Sequence, residues 1–259
     1  MSGKYLATIE DIKEKYSLNH SSKERLNERK FLPLKPSPLL ANICAHLIGD
    51  GSIKFRNKNQ GAIRFYGELE KLVRIQEDFE KLFGKKPKLL KRKRPSETGF
   101  KIDQTDTNIV RILVFIGVPP GEKVLSAFIV PKWIMSGHQE VKRAFLRGLC
   151  DDELEGLYRE KGKENTWHGL KFKMSKKKAL LKEHVLFLMQ LKKLFQTFKI
   201  ETSEVKIAHN QTFLRKDGNV TCPAYFRIGN KKDNRKRFFK EIGFQREKRK
   251  QQQLLASLK

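Results

Sequence analysis

Polar and charged residues fill positions 1–36, with one short helical run around Thr8–Tyr16 and prolines at 33 and 36, before apolar positions settle into helical spacing at Leu39–Ile48. Ser37-Pro38 reads as the start of that helix. The serine oxygen can cap the first turn, and proline's fixed φ suits the first helical position. The helix runs into Gly49-Asp50-Gly51. Two strand-like segments follow, Ser52–Arg56 and Ala62–Tyr66, joined by the polar turn Asn57–Gly61, and then an amphipathic helix, Glu68–Phe83, stopped by Gly84. A second hairpin has arms at Lys88–Lys93 and Gly99–Asp103 with Pro95 and Ser96 in its turn. Asp106 then caps a helix that ends at Gly117, ahead of Pro119-Pro120. The predicted order is αββαββα.

The same order recurs. Phe100-Lys101-Ile102, Asn108, Arg111 and Ile116-Gly117 reappear with identical spacing as Phe226-Arg227-Ile228, Asn234, Arg237 and Ile242-Gly243. Upstream, Ile63-Arg64-Phe65 matches Leu170-Lys171-Phe172, and Leu47–Asp50 matches Leu149–Glu153. The second copy is expected to open with a helix near His138, where Ser136 and Gln139 have capping-box spacing, and to close with a helix over Lys231–Glu241. This divides the chain into an N-terminal extension (1–36), a first unit (37–132), a second unit (133–245) and a basic, Gln-rich tail (246–259).

Strand alternation gives each unit two chemically distinct faces. Ile53/Phe55 oppose Lys54/Arg56, Ile63/Phe65 oppose Arg64, Leu170/Phe172 oppose Lys171/Lys173, and Phe226/Ile228 oppose Arg227. One face is apolar and the other basic. The chain has 56 Lys+Arg against 29 Asp+Glu, a net charge of +27, and such an excess calls for a polyanionic partner, nucleic acid first. Long basic side chains on paired sheets suit the major groove, which gives candidate DNA contacts at Lys54, Arg56, Arg64, Lys91, Lys93, Lys101, Lys171, Lys173, Arg227 and Lys231.

No apolar run is long enough to span a bilayer and no signal-peptide core is visible, so a membrane partner and secretion are not expected. The expected location is the cytoplasm, at the nucleoid, or an organellar matrix. Cys44, Cys150 and Cys222 have neither CxxC nor zinc-ligand spacing and read as small core residues.

Small residues recur every four positions in the two matching helices, as Ala41, Ala45 and Gly49 in the first and Ala144 and Gly148 in the second, where Asp152 holds the third place. Such stripes let helix backbones approach closely, so the two helices are expected to pack on each other and to bring Asp50 and Glu153 into one centre. Two neighbouring carboxylates repel, and a divalent cation with oxygen ligands relieves that cost. Asp50 and Glu153 are therefore candidate catalytic and metal-binding residues, with Gly49 and Asp152 beside them in the metal set and Mg²⁺ or Mn²⁺ as the cofactor. Read singly, Asp50 is a turn residue and Glu153 one of several solvated acids. It is their matching places in a duplicated unit that single them out.

Ile43–Ser52 and Leu146–Glu153 resemble the two signature helices of monomeric, freestanding LAGLIDADG homing endonucleases, and the resemblance extends over about residues 37 to 245. It implies an α+β fold of two pseudo-symmetric αββαββα units with saddle-shaped antiparallel sheets and the motif helices packed at the centre. It also implies metal-dependent hydrolysis of double-stranded DNA at a specific site, with the last acid of each motif holding the metal. The second motif departs from the pattern, with Asp152 at a usual small residue and Leu154 at a usual glycine. That departure keeps a rival in view: a non-catalytic nucleic-acid binder on the same scaffold, either a maturase bound to intron RNA or a DNA-binding regulator. His46 reads as a packing residue, Trp133 and Trp167 as core or loop anchors, and His209-Asn210 as part of a hairpin.

Overall fold

The computed structural model describes residues 5–57, 59–92, 99–162 and 166–259. It divides into two compact units: the chain up to Gly121 with Pro131–Val141, and Glu122–Val130 with Lys142–Lys259. The fold is α+β with antiparallel sheets.

The first unit begins with α1 (Ile9–Lys15) and α2 (His20–Asn27), both capped by their own sequence. Thr8 and Asp11 form a reciprocal capping box, and Asn19 accepts from Ser22 N. Residues 5–36, expected as an extension, are part of this unit. Ile12 and Leu26 are fully buried, Asn108 Nδ2 donates to Ser22 O at 3.0 Å, Tyr16 Oη donates to Arg111 O at 3.2 Å, and Arg29 pairs with Asp106.

The expected αββαββα order follows: α3 (Pro38–Ile48), β1 (Ser52–Asn57), β2 (Gln60–Gly67), α4 (Leu69–Phe83), β3 (Lys88–Lys91), β4 (Phe100–Gln104) and α5 (Thr107–Phe115). Ser37 Oγ accepts from Leu40 N at 3.2 Å with Pro38 in the first turn, and Gly84 ends α4 in the left-handed conformation at φ 64°. The sheet order is β1-β2-β4-β3. Its inner face carries Ile53, Ile63, Phe65 and Ile102, with the Phe65 ring edge-on to Phe79 of α4. Phe55 was expected inside with Ile53 but is 37% exposed. Beyond Ile53 every residue of this edge strand is exposed, and the register with β2 slips between Phe55 and Asn57.

The short helix α6 (Lys132–Met135) closes the unit, with the Trp133 indole donating to Ile116 O at 3.0 Å, an anchoring role.

The second unit holds most of α7 (Gln139–Glu153), then β5 (Tyr158–Arg159), β6 (Trp167–His168), β7 (Lys171–Lys177), α8 (Leu181–Thr197), β8 (Lys206–Ile207), β9 (Phe213–Leu214), β10 (Val220–Arg227), α9 (Lys232–Glu241) and α10 (Lys248–Ala256). Its main sheet runs β7-β10-β8, with β9 also on β10. Phe172 stacks on Phe226 at 5.4 Å, and Phe195 of α8 and Phe238 of α9 extend that aromatic core.

Here the two copies diverge. Among the described residues, the segment after α7 joins the sheet only through the Leu154–Phe172 bridge and then leaves to form the separate ribbon β5-β6. It leaves where Gly156 and Gly169 cross: a Cβ on Gly169 would lie 2.3 Å from Gly156 O, and its φ is +117°. The residues expected as a tail fold as α10, which buries Leu254 and receives Arg235 Nη2 at Ser257 O, 3.0 Å.

Candidate functional site

Each copy ends its motif helix at a carboxylate. In the first, α3 is buried along Leu40–Ile48, Ala41 and Ala45 included, and Gly49 caps it with its N–H on Ala45 O at 2.8 Å. Gly51 N–H then bonds back to His46 O at 2.7 Å. A Cβ at Gly51 would stand 2.7 Å from His46 O, 2.8 Å from Leu47 Cα and 3.0 Å from Arg64 O, all backbone atoms. The chain therefore turns from helix into β1 at a residue that must be glycine, and Asp50 projects with its side chain 46% exposed.

Lys71 Nζ lies 3.3 Å from Asp50 Oδ2. Its ammonium comes from inside: Lys71 is buried, and its Cδ would be 3.4 Å from a Cβ on Gly67. A pair with so open a carboxylate adds little stability. Its value is to hold a cation beside Asp50. The sequence reading missed Lys71, although the signal was present. Lys71, Ile75, Phe79 and Phe83 fall at four-residue intervals on α4, so the lysine occupies the row that faces the core.

In the second copy Glu153 is the last residue of α7 and is half-buried, as is Asp152 before it. Asp151 is buried and serves a different purpose. Its carboxylate accepts from Gln245 N at 2.9 Å and Arg246 N at 3.0 Å, and its carbonyl accepts from Lys250 Nζ at 2.7 Å. Beyond Glu153, Leu154 N–H bonds to Cys150 O at 3.2 Å and Glu155 N–H to Lys171 O at 3.0 Å. The backbone at Glu153 is thus fixed on both sides.

Lys176 is the second lysine that the sequence reading passed over. It is 2% exposed, donates to Lys123 O and to Ser126 O (2.9 Å), and lies over the Phe128 ring at 3.6 Å. Burial pushes its ammonium down to about 7; the charge of Lys123 acts in the same direction, and Glu153 opposes both. Lys176 therefore sits in the field of Glu153. The clue was again parity, since Lys176 shares the inward face of β7 with Phe172.

Among the described residues no group of three or more His, Cys, Asp or Glu side chains is placed to hold a metal ion. The first unit instead offers a hard carboxylate paired with a lysine, and the second a hard carboxylate in whose field a buried lysine sits. That donor set suits Mg²⁺ or Mn²⁺, which bind through one or two carboxylates and take water and phosphate oxygens for the rest. Gly148 of the small-residue stripe is buried and Ala144 half-buried.

The candidate DNA contacts fall into two groups. Lys54, Arg56, Lys91, Arg227 and Lys231 are exposed. Arg64 and Lys101 are half-buried and share Asp103, at 3.3 and 3.5 Å, so this carboxylate offsets part of the charge on the first sheet's outer face. Lys171 pairs with Glu155 at 3.0 Å and Lys173 donates to Gln211 at 3.0 Å. Lys171 and Arg227 also flank the Tyr225 ring, at 5.8 and 5.7 Å. Lys93 lies outside the described residues. The three cysteines are buried and free, as expected, and no described helix is long and apolar enough to cross a membrane.

No family model matches the chain. It is 27% identical over 241 residues to DNA-directed RNA polymerase subunit Rpo1N of Methanocaldococcus jannaschii, a match covering 85% of this chain and 17% of the subunit. It is 32% identical over 198 residues to tRNA-splicing ligase RtcB of the same organism, covering 68% of this chain and 20% of the ligase. The chain thus spans about a fifth of the length of these curated relatives. Among solved structures it is similar to mesophilic variants of the homing endonuclease I-DmoI, with a TM-score of 0.48 and 13% identity over 79% of this chain and 90% of that one.

Proposed function

We propose that this chain is a LAGLIDADG-type homing endonuclease: a metal-dependent, site-specific enzyme that hydrolyses phosphodiester bonds in double-stranded DNA and works as a monomer. One observation carries the reading. Both copies of a duplicated unit end the same helix at a carboxylate that a buried lysine answers electrostatically, Lys71 paired with Asp50 at 3.3 Å and Lys176 in the field of Glu153. Neither turn formation nor packing requires that combination twice.

The relatives fit a module with its own activity. A polymerase subunit and an RNA ligase share with this chain only about a fifth of their length, so polymerisation and ligation are poor candidates for what the shared segment does.

In this reading Asp50 and Glu153 would hold Mg²⁺ or Mn²⁺, with the Gly49 carbonyl and Asp152 as further oxygen donors. Bound there, the ion would supply Lewis acidity for hydrolysis of the phosphodiester. The chain's own groups do the rest. The outer sheet faces bind the backbone through Lys54, Arg56, Lys171, Lys173 and Arg227. Lys71 adds positive charge where the phosphate's negative charge grows, and Lys176, its ammonium held down to about 7, adds it in its protonated form. Each carboxylate serves one strand, so both are needed for a double-strand cut. Acting on chromosomal DNA, the enzyme would work in the cytoplasm or an organellar matrix.

The test is incubation of the purified protein with a randomised plasmid library and Mg²⁺. Linear products that share a recurring sequence at their ends, and that vanish with chelator, are the expected result. Tight, metal-indifferent DNA binding without cleavage would overturn the enzymatic reading and leave a regulator.

A further inference from the structure

Phe213 and Leu214, adjacent in β9, are 66% and 67% exposed, more than any other large hydrophobic residue in the described chain. Burying either would favour folding, so a tip that leaves both in water invites an explanation. The ribbon is not slack. Arg215 N bonds to Asn219 O at 3.0 Å, Gly218 turns at φ +78°, and Arg215 is held to Glu122 at 2.7 Å and Asp217 at 3.1 Å. Val220 pairs across with Leu214, which stiffens the reverse side.

Register fixes where Phe213 lies. It pairs with Thr221, which pairs on its other side with Lys177. Counting by twos along β7 and β10, that face carries Lys171, Lys173, Lys177, Tyr225 and Arg227, the basic face already assigned to DNA. An exposed phenyl ring at the end of a basic face suits a duplex. It does not suit a second copy of a chain carrying +27. Lysines suffice for phosphate contact, whereas Phe and Leu are the residues that wedge between base pairs.

We propose that the β9–β10 hairpin is a DNA wedge that inserts Phe213 between base pairs at one end of the footprint, unstacking them, with Leu214 and Val220 bracing the ribbon. The proposal rests on the DNA-binding reading but not on catalysis.

The test uses short duplexes of mixed sequence containing 2-aminopurine, whose fluorescence rises on unstacking, titrated with the full chain in the absence of divalent ions. Wild type should raise the signal. Phe213→Ala should abolish that rise and weaken binding about tenfold, as loss of one stacking contact does. Phe213→Trp should keep the rise, and Lys216→Ala should weaken binding with the rise at saturation intact. A rise undiminished in Phe213→Ala would overturn the wedge while leaving DNA binding in place. Absence of any binding by wild type would overturn the functional reading, and the wedge with it. A dimer of the wild type that Phe213→Ala dissolves would also overturn the wedge, by assigning the tip to self-association.

Discussion

The two carboxylate ends come from one duplicated design and are supported in different ways. Asp50 is held by what is missing: Gly51 has no room for a Cβ, so the backbone folds back on His46 and leaves the carboxylate in the open. Glu153 is held by what is added: Leu154 is buried against the sheet, and Asp151 ties the helix end to residues 245–250. The lysines differ in the same sense. Lys71 reaches out from a helix to an open acid, whereas Lys176 rises from a strand and is bound to two carbonyls. A carboxylate that a buried lysine answers electrostatically is common to both halves; its scaffolding is not.

Substitution should separate the two kinds of support. Gly51→Ala forces a methyl group onto backbone atoms and should cost about 3 kcal/mol. Leu154→Ala should cost a similar amount for the opposite reason, an emptied core position. Denaturant unfolding of both variants measures this. A cost under 1 kcal/mol at Gly51 would show that the tight turn is not what supports Asp50.

Acid should find a weakness confined to the second unit. His184 Nε2–H donates to Met174 O at 3.1 Å, and burial pushes its imidazole down to about 4, from an ordinary value near 6.5. The unfolded chain therefore binds more protons between those values, so the stabilisation is present above pH 6.5 and is lost as pH falls towards 4. The loss should be on the order of 3 kcal/mol. Urea midpoints measured across that range should fall for wild type and should flatten in His184→Gln.

The lysines come next. Lys71→Met should slow cleavage at least about tenfold, as loss of a charge at a phosphoryl site does, and Lys176→Met should slow it most below pH 7, where its ammonium is protonated, each with DNA affinity nearly unchanged. Single-turnover rates and binding isotherms check this. Slowing by Lys71→Met alone would mean that Lys176 is only structural. The smallest effect should come from Asp103→Asn, which frees Arg64 and Lys101 and should change stability by less than about 1 kcal/mol while tightening DNA binding at low salt. A salt titration of affinity reads it.

Much of this comparison was visible in the sequence, because it depends on spacing. The αββαββα order of the first unit follows from its caps, glycine stops and alternation, and the recurrence of Phe100–Gly117 at Phe226–Gly243 located the second unit. What the sequence did not show depends on long-range contacts. Asp151 reads as one of three adjacent acids until Gln245 and Arg246 are seen to fold back on it. The diversion of β5 and β6 from the main sheet follows from the crossing of Gly156 and Gly169, thirteen residues apart in sequence. Lys71 and Lys176 could have been found from periodicity, but basic residues are so frequent here that two more drew no notice.

The central claim is that both acids are needed to cut a duplex through both strands. Strand-resolved cleavage of a plasmid site recovered from the randomised library tests it most directly, with wild type, Asp50→Asn and Glu153→Gln compared at equal DNA occupancy in Mg²⁺. The account predicts that wild type linearises the plasmid and that each single variant loses the linear product while still binding. Linear product from either variant at the wild-type rate would contradict it.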